Sequence, residues 1–198
     1  MGRVILILGG ARSGKSRHAI QLAGKLAGGR EVVYLATAEA GDEEMAQRIL
    51  RHQRDRPAGW RTVEVPRDVV SAVEELEAEA AAIILDCITL WISNLLLAEG
   101  EKAAAGREEA ILGEVQALAR VAREAEAHVL LVSNEVGLGV VPPTRLGCIF
   151  RDLAGQANQL LTQAADEVYM MWAGLPQRIK GGNIEHTGSD NQPNQAAG

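Results

Sequence analysis

The eight residues Gly9-Gly10-Ala11-Arg12-Ser13-Gly14-Lys15-Ser16 constrain this 198-residue chain more than any others. They read G-x-x-x-x-G-K-S and follow directly on the apolar run Val4 to Leu8. Strand, glycine-rich turn and helix in that order make a phosphate-binding loop. The glycines let backbone N–H groups curl round phosphate oxygens without side-chain collision. Lys15 brings a point charge to the outer phosphates, and the Ser16 hydroxyl can ligate a magnesium ion. The following helix points its positive end at the anion. A chain with this loop is expected to bind a nucleoside triphosphate. The loop alone is shared by kinases, motors, switches and transferases.

Apolar, β-rich runs alternate with helical patterns beyond the loop. Strands are expected at Val4–Leu8, Glu31–Ala36, Arg61–Val65, Ala82–Asp86, His128–Ser133 and Glu167–Trp172, with a short run near Arg178–Lys180. Helices are expected near Lys15–Ala27, Glu43–Arg54, Val69–Ala81, Thr89–Ala98, Glu108–Ala127 and Arg145–Ala165. Such alternation predicts an α/β protein with a mostly parallel sheet and helices on both faces. Ligands of such sheets bind at the carboxyl ends of the strands. The alanine-rich stretch Glu74–Ala82 reads as good helix former. The length suits one catalytic domain over residues 1–180. Residues 181–198 are rich in Gly, Asn, Gln and Ser, nearly free of large apolar groups, and read as a mobile tail.

A net charge of −6 argues against a protein that binds nucleic acid by general phosphate attraction. The two cysteines, Cys87 and Cys148, lie far apart without metal spacing, so neither a zinc site nor a disulfide framework is expected. Met-Gly-Arg and a short apolar strand open the chain, too little for a signal peptide or a membrane span, and a soluble cytoplasmic protein is expected.

Further places carry candidate chemistry. Ile83-Ile84-Leu85-Asp86 is an apolar strand ending in a carboxylate, which beside a phosphate loop suits magnesium binding; an Asp there can also cap the next helix. His52 stands among Arg48, Arg51, Arg54 and Arg56, just after the second strand. A lone helical histidine is more often a surface residue than a catalyst. Its arginine neighbours, however, suit an anionic phosphorus centre and disfavour imidazolium, keeping the ring nucleophilic. His18 is expected to pack in the first helix, His128 opens a strand, and His186 lies in the tail. Ser133-Asn134-Glu135-Val136-Gly137 follows the fifth strand, where it either contacts substrate or caps and turns the chain.

These residues resemble the bifunctional adenosylcobinamide kinase / adenosylcobinamide-phosphate guanylyltransferase family of cobalamin biosynthesis. The resemblance runs from about Val4 to Lys180. It rests on Gly-Gly-Ala-Arg-Ser-Gly-Lys-Ser-Arg at 9–17, Tyr-Leu-Ala-Thr-Ala at 34–38, Glu-Met-Ala-x-Arg-Ile from 44, His52, and Arg-Pro-x-x-Trp-Arg-Thr at 56–62. Asp86-Cys87-Ile88-Thr89, the stretch 133–137 and Phe150-Arg151-Asp152-Leu153-Ala154-Gly155 complete it. The family's fold is a RecA-like, P-loop sheet. Its two reactions are phosphorylation of the aminopropanol hydroxyl of adenosylcobinamide by ATP or GTP, and GMP transfer from GTP through a histidine-GMP intermediate, giving adenosylcobinamide-GDP. The family nucleophile falls on His52, with Lys15 as the charged catalytic partner. Family nucleotide contacts fall on Gly9, Gly10, Ala11, Arg12, Ser13, Gly14, Lys15, Ser16, Ala36, Thr37, Ala38, Gln53, Arg54, Asp55, Arg56, Glu64 and Asp86, and magnesium on Ser16 and Asp86. The family also implies a homotrimer. Some relatives carry Glu at the position of Asp86, and the tail has no counterpart in the resemblance. Two other readings share the phosphate loop: a small-molecule kinase of another pathway, which leaves His52 idle, and a nucleotide switch or ATPase module acting on a partner protein.

Overall fold

The run Val-Ile-Leu-Ile-Leu-Gly is buried along its whole length. A strand apolar on both faces belongs in the middle of a sheet covered on both sides. In a computed structural model that describes residues 1–39, 56, 57, 59–98, 100 and 106–182, this run is β1 (Val4–Gly9). The other elements are α1 (Lys15–Ala27), β2 (Val32–Ala36), β3 (Arg61–Glu64), α2 (Val69–Leu76), β4 (Ala82–Asp86), α3 (Ile88–Leu97), α4 (Glu108–Glu124), β5 (His128–Asn134), α5 (Arg145–Ala164), β6 (Glu167–Trp172) and β7 (Leu175–Lys180).

The seven strands form one sheet in the order β3-β2-β4-β5-β1-β6-β7. All neighbours pair in parallel except β6 and β7. Alternate residues therefore build two cores. Ile5, Ile7, Tyr34, Ile84, Leu130 and Val132 face α1, whose Ala19, Ala23 and Ala27 let it lie close on the sheet. Leu6, Val33, Leu35, Ile83, Leu85 and Leu131 face α2, α3, α4 and α5. The mostly parallel α/β sheet with helices on both faces is as the sequence predicts. The helix expected at 43–54 lies outside the described residues, as does the tail from 183 onward.

Most boundaries agree with the sequence reading to within one residue, and the larger differences arise where tertiary packing overrides local propensity. The helix expected to run to Ala81 stops at Leu76, its last buried residue. Glu77 instead accepts the Glu126 N–H at 2.7 Å, and Ala80 and Ala81 are buried in the approach to β4. The helix expected to reach Ala127 ends at Glu124, because Ala125 is extended and its carbonyl accepts the Gly2 N–H at 3.0 Å. Strand β5 runs one residue further, to Asn134, pairing with Gly9. The last strand covers six residues rather than the short run at 178–180. It is entered by a two-residue turn at Ala173 and Gly174, both with positive φ (49° and 88°). Paired left-handed residues are what a tight hairpin requires.

Candidate functional site

Because β1 to β6 all point one way, their carboxyl ends share one edge. The phosphate loop stands at that edge. Gly9 has φ 153°, and a Cβ there would meet Ser13 Oγ at 2.7 Å and the Met171 carbonyl at 2.9 Å. Gly14 (φ 95°) stands at the N-cap of α1 without a side-chain cap, and the first turn of α1 holds no acidic residue. The helix therefore meets the loop with its uncapped amides and positive dipole end. Lys15 is buried, and its Nζ donates to the Gly10 carbonyl at 2.7 Å. Arg12 holds a left-handed φ of 55°. Ser13 Oγ is buried with no hydrogen-bond partner among the described residues. The loop is braced on both sides: Glu135 N–H donates to the Gly9 carbonyl, and Gly174 N–H to the Ser13 carbonyl, each at 3.0 Å.

Parallel register lines up a second group. Asp86 pairs with Ala36, and Ala36 with Glu64. The three share the α1 face, so a methyl group separates two carboxylate-bearing residues. Neighbouring strands lie about 4.8 Å apart, which puts the Asp86 and Glu64 backbones at ~10 Å. Tyr34, two residues before Ala36 on the same face, donates its hydroxyl to Asp86 Oδ2 at 2.5 Å. Burial, then the Asp86 charge, pushes the Tyr34 phenol well above its usual range, so it remains a donor. The Arg56 guanidinium lies over the Tyr34 ring, 3.7 Å from its centroid, and donates to Thr62 Oγ1 at 2.8 Å. Arg56 Nε is buried without a hydrogen-bond partner among the described residues. The Cys87 thiol is raised to about 11 by burial first and the Asp86 charge second, with Lys15 opposing. Lys15 and Asp86 thus act on the same atom, from the loop and from β4.

Thr37 has a different setting from the other candidates. It is fully buried; its hydroxyl donates to the Cys87 carbonyl and accepts the Cys87 N–H, both at 2.8 Å. Its N–H donates to the Asp86 carbonyl and its own carbonyl accepts from Asn94 Nδ2. The peptide bond between Asp86 and Cys87 is cis. Thr37 therefore ties the end of β2 to the end of β4 and has no polar group turned outward. Of the stretch 133–137, Ser133 Oγ donates to Asn158 Oδ1 at 2.6 Å and Asn134 Nδ2 to Thr89 Oγ1 at 2.8 Å, which joins β5 to α5 and α3.

The structure brings Gly9, Gly10, Ala11, Arg12, Ser13, Gly14, Lys15, Ser16, Ala36, Thr37, Ala38, Arg56, Glu64 and Asp86 to one sheet edge. His52, Gln53, Arg54 and Asp55 lie outside the described residues. His18 packs edge-on against Tyr169 with ring centroids 5.1 Å apart, and burial, then Lys25, lowers its pKa. Sequence reasoning did not single out Tyr34 as a partner of Asp86. The available signal was its two-residue spacing from Ala36, which puts both on one face of a strand.

Fold and loop together define a P-loop nucleotide-binding protein. A solved structure with the same fold is the flagellar accessory protein FlaH from Methanocaldococcus jannaschii, with a TM-score of 0.53 over 91% of this chain and 79% of that one, at 16% identity. The model of the family described as cobinamide kinase / cobinamide phosphate guanyltransferase matches residues 5–179. The bifunctional adenosylcobalamin biosynthesis protein CobU of Salmonella typhimurium is 45% identical over 183 residues, covering 89% of this chain and 99% of that protein. That of Escherichia coli is 41% identical with the same coverage, and CobP of Pseudomonas aeruginosa is 44% identical over 177 residues, 89% of this chain and 96% of that protein. The chain belongs to the cobinamide kinase / cobinamide phosphate guanyltransferase family.

Proposed function

We propose that this chain catalyses both reactions of its family in adenosylcobalamin biosynthesis, as cobinamide kinase and as cobinamide-phosphate guanylyltransferase. The observation that carries this reading is the family match over residues 5–179, laid on a phosphate loop whose strand edge also presents Asp86 and Glu64. In the first reaction the aminopropanol hydroxyl of adenosylcobinamide takes the terminal phosphoryl group of ATP or GTP. The α1 N-terminus, the loop amides and Lys15 hold the phosphates and offset charge as it moves to the leaving oxygen. Their placement before reaction lowers the barrier without reorganisation at the moment of transfer.

In the second reaction His52 attacks the α-phosphorus of GTP. A P–N bond forms, the α–β P–O bond breaks, and pyrophosphate leaves. A phosphate oxygen of the cobinamide phosphate then attacks the same phosphorus, the P–N bond breaks, and adenosylcobinamide-GDP results. Two displacements spare two bulky substrates a direct encounter. Gly9 to Ser16, Ala36, Thr37, Ala38, Gln53, Arg54, Asp55, Arg56, Glu64 and Asp86 form the nucleotide surface in this proposal. Ala36 keeps the floor between Asp86 and Glu64 low, which suits a sugar whose hydroxyls reach Glu64 while Asp86 faces the phosphates. Thr37 acts there by fixing Cys87, not through an outward polar group.

Magnesium fits the residues present. Tyr34 takes only Oδ2 of Asp86, and Ser16 opens α1 beside the loop. Among the described residues no group of three or more His, Cys, Asp or Glu gathers into a metal site. Magnesium commonly binds one or two protein ligands, phosphates and waters. Ser16 and Asp86 would hold it, and bound there it would neutralise phosphate charge. We place the catalytic unit at residues 1–180, outside which the tail takes no part, in a cytoplasmic homotrimer. Among the described residues no helix is long and apolar enough to cross a membrane.

Incubation with α-labelled GTP, denaturation and counting tests the reading. Label should stay on wild-type protein, be released by acid and survive base, as a phosphoramidate does. His52→Ala should take up none, lose GMP transfer, and keep measurable phosphorylation of cobinamide. Acid-labile label on that variant would move the nucleophile elsewhere, with His18 the next residue to test.

A further inference from the structure

The strand edge carries apolar groups that the nucleotide chemistry does not use. Leu138 is 74% exposed, Val140 94% and Val141 64%, all in the loop between β5 and α5. Trp172 is 56% exposed and Leu175 72%, the paired residues of the β6–β7 turn. These are five of the large apolar side chains that remain exposed among the described residues. All five stand at the edge where β5, β1 and β6 end. Each segment is tied to the phosphate loop by a backbone hydrogen bond, Glu135 N–H to the Gly9 carbonyl and Gly174 N–H to the Ser13 carbonyl. The loop and the turn therefore flank the loop that holds the phosphates.

The turn lies on the α5 side of the sheet, and the loop after β5 leads into α5. Along β6, Val168 and Met170 pack into the core beneath α5, and alternation puts Trp172 on that same face. Leu175 is its cross-strand partner and shares the face. The loop at 135–144 leads into α5, which lies on that side. The phosphate loop turns the other way, into α1. Tyr34, Arg56, Ala36 and Asp86 are on the α1 side too. Strands β5 and β6 are separated by β1 alone, a gap of ~10 Å between their ends.

We infer that the corrinoid is held on the α5 side of this edge, its apolar face between the loop after β5 and the β6–β7 turn, while the nucleotide lies on the α1 side. This rests on the function proposed above. A corrinoid is a broad macrocycle with methyl-studded faces and a rim of amides. It needs apolar contact beside the phosphates and open space for its rim, and the exposed residues supply both. Entry from opposite sides also lets the aminopropanol hydroxyl meet the terminal phosphorus from the side away from the leaving nucleotide, as in-line transfer requires. A second copy of the chain seated on the same residues would cover the approach that the hydroxyl needs.

The test uses the full chain and adenosylcobinamide. Two variants are made, Trp172→Ala and the combined Leu138→Ser, Val140→Ser and Val141→Ser. The affected side chains are exposed, so folding is retained, and melting curves check it. Each variant should raise KM for adenosylcobinamide at least about tenfold, equivalent to ~1.4 kcal/mol. It should weaken corrinoid binding in equilibrium dialysis without nucleotide by a similar factor. KM for ATP and sedimentation should stay at wild-type values. Unchanged KM for the corrinoid overturns the inference. So does altered sedimentation, which would assign these residues to an interface between copies. If wild-type protein itself does not phosphorylate adenosylcobinamide, the proposed function fails instead.

Discussion

Replacing Thr37 with valine should destabilise the protein, and more than replacing it with serine. Valine nearly matches threonine in volume, so the shape of the site survives and only the hydroxyl is lost. That hydroxyl makes two bonds to one residue, donating to the Cys87 carbonyl and accepting the Cys87 N–H at 2.8 Å each. The two losses are unequal. The carbonyl keeps a second donor, the Trp91 N–H at 3.1 Å, so it forfeits one bond of two. The N–H has no such second partner and is left bare in a residue that is only 6% exposed. An orphaned buried donor costs ~1–3 kcal/mol and the lost carbonyl bond ~0.5–1.5, so the net is about 2–4 kcal/mol. For a chain of this length that lowers Tm by ~6–12 °C. Serine keeps both bonds and deletes one buried methyl, for about 1 kcal/mol. Urea denaturation with a second optical probe measures both variants. The order should be wild type, then serine, then valine. A valine variant as stable as the serine variant would refute the reasoning, because apolar surroundings favour valine wherever the hydroxyl is idle. Nucleotide affinity well below Tm should be unchanged in the serine variant, whose backbone ties to Asp86 and Asn94 remain.

Three further expectations follow from the structure. Lys15→Ala removes a buried point charge that no neighbour replaces, and should depress both kinase and guanylyltransferase kcat/KM by at least about a hundredfold; near-normal rates in steady-state assays would sink its assigned role. The His18 pKa is lowered by burial and Lys25, so the folded state resists a proton that the unfolded chain accepts near pH ~6.5. Its contribution to stability is therefore complete above that pH and is lost as pH falls through it. Relative to His18→Phe, which keeps an aromatic ring against Tyr169, wild-type Tm should drop further on acidification; a difference independent of pH would contradict this. Truncation after Lys180 should leave stability within ~0.5 kcal/mol and both activities intact, and a large loss in either measurement would bring residues 181–198 into the catalytic unit.

The fold is legible in the sequence where one physical signal dominates. Val4–Leu8, Ala82–Asp86 and His128–Ser133 carry unbroken apolar runs, and such runs bounded by turns have little alternative to a strand covered on both faces. The helix ends are less legible. Alanine at 80–82 favours a helix by propensity, yet those residues must extend to enter β4 between β2 and β5, and the sheet decides. Strand β7 is hidden for another reason. It mixes polar and apolar residues, lies largely exposed and contains Pro176, as an edge strand tolerates. Its turn places Ala173 rather than Gly, Asn or Asp at a left-handed position, so the usual hairpin signature is missing.

The site divides along the same line. The phosphate loop is local: eight consecutive residues hold its whole logic, and their geometry follows from glycine positions and the helix that comes next. The rest of the edge depends on register between segments remote in sequence. Tyr34 reaches Asp86 across 52 positions, and Thr37 reaches Cys87 across 50. No spacing rule within one segment relates those pairs, because parallel strands are joined by long crossovers that separate their partners. What a single strand does reveal is which face a residue shares, and that is enough to sort the edge once the strand order is known. Ala36, Glu64 and Asp86 fall on the α1 face with the phosphate loop's helix, whereas Trp172 and Leu175 fall on the α5 face. A sheet that binds at one edge thus offers two chemically different approaches to the same phosphates, polar and charged from one side, apolar from the other. A transferase joining a nucleotide to a large amphipathic ring needs both approaches, and the alternation of side chains along each strand supplies them without any change in backbone.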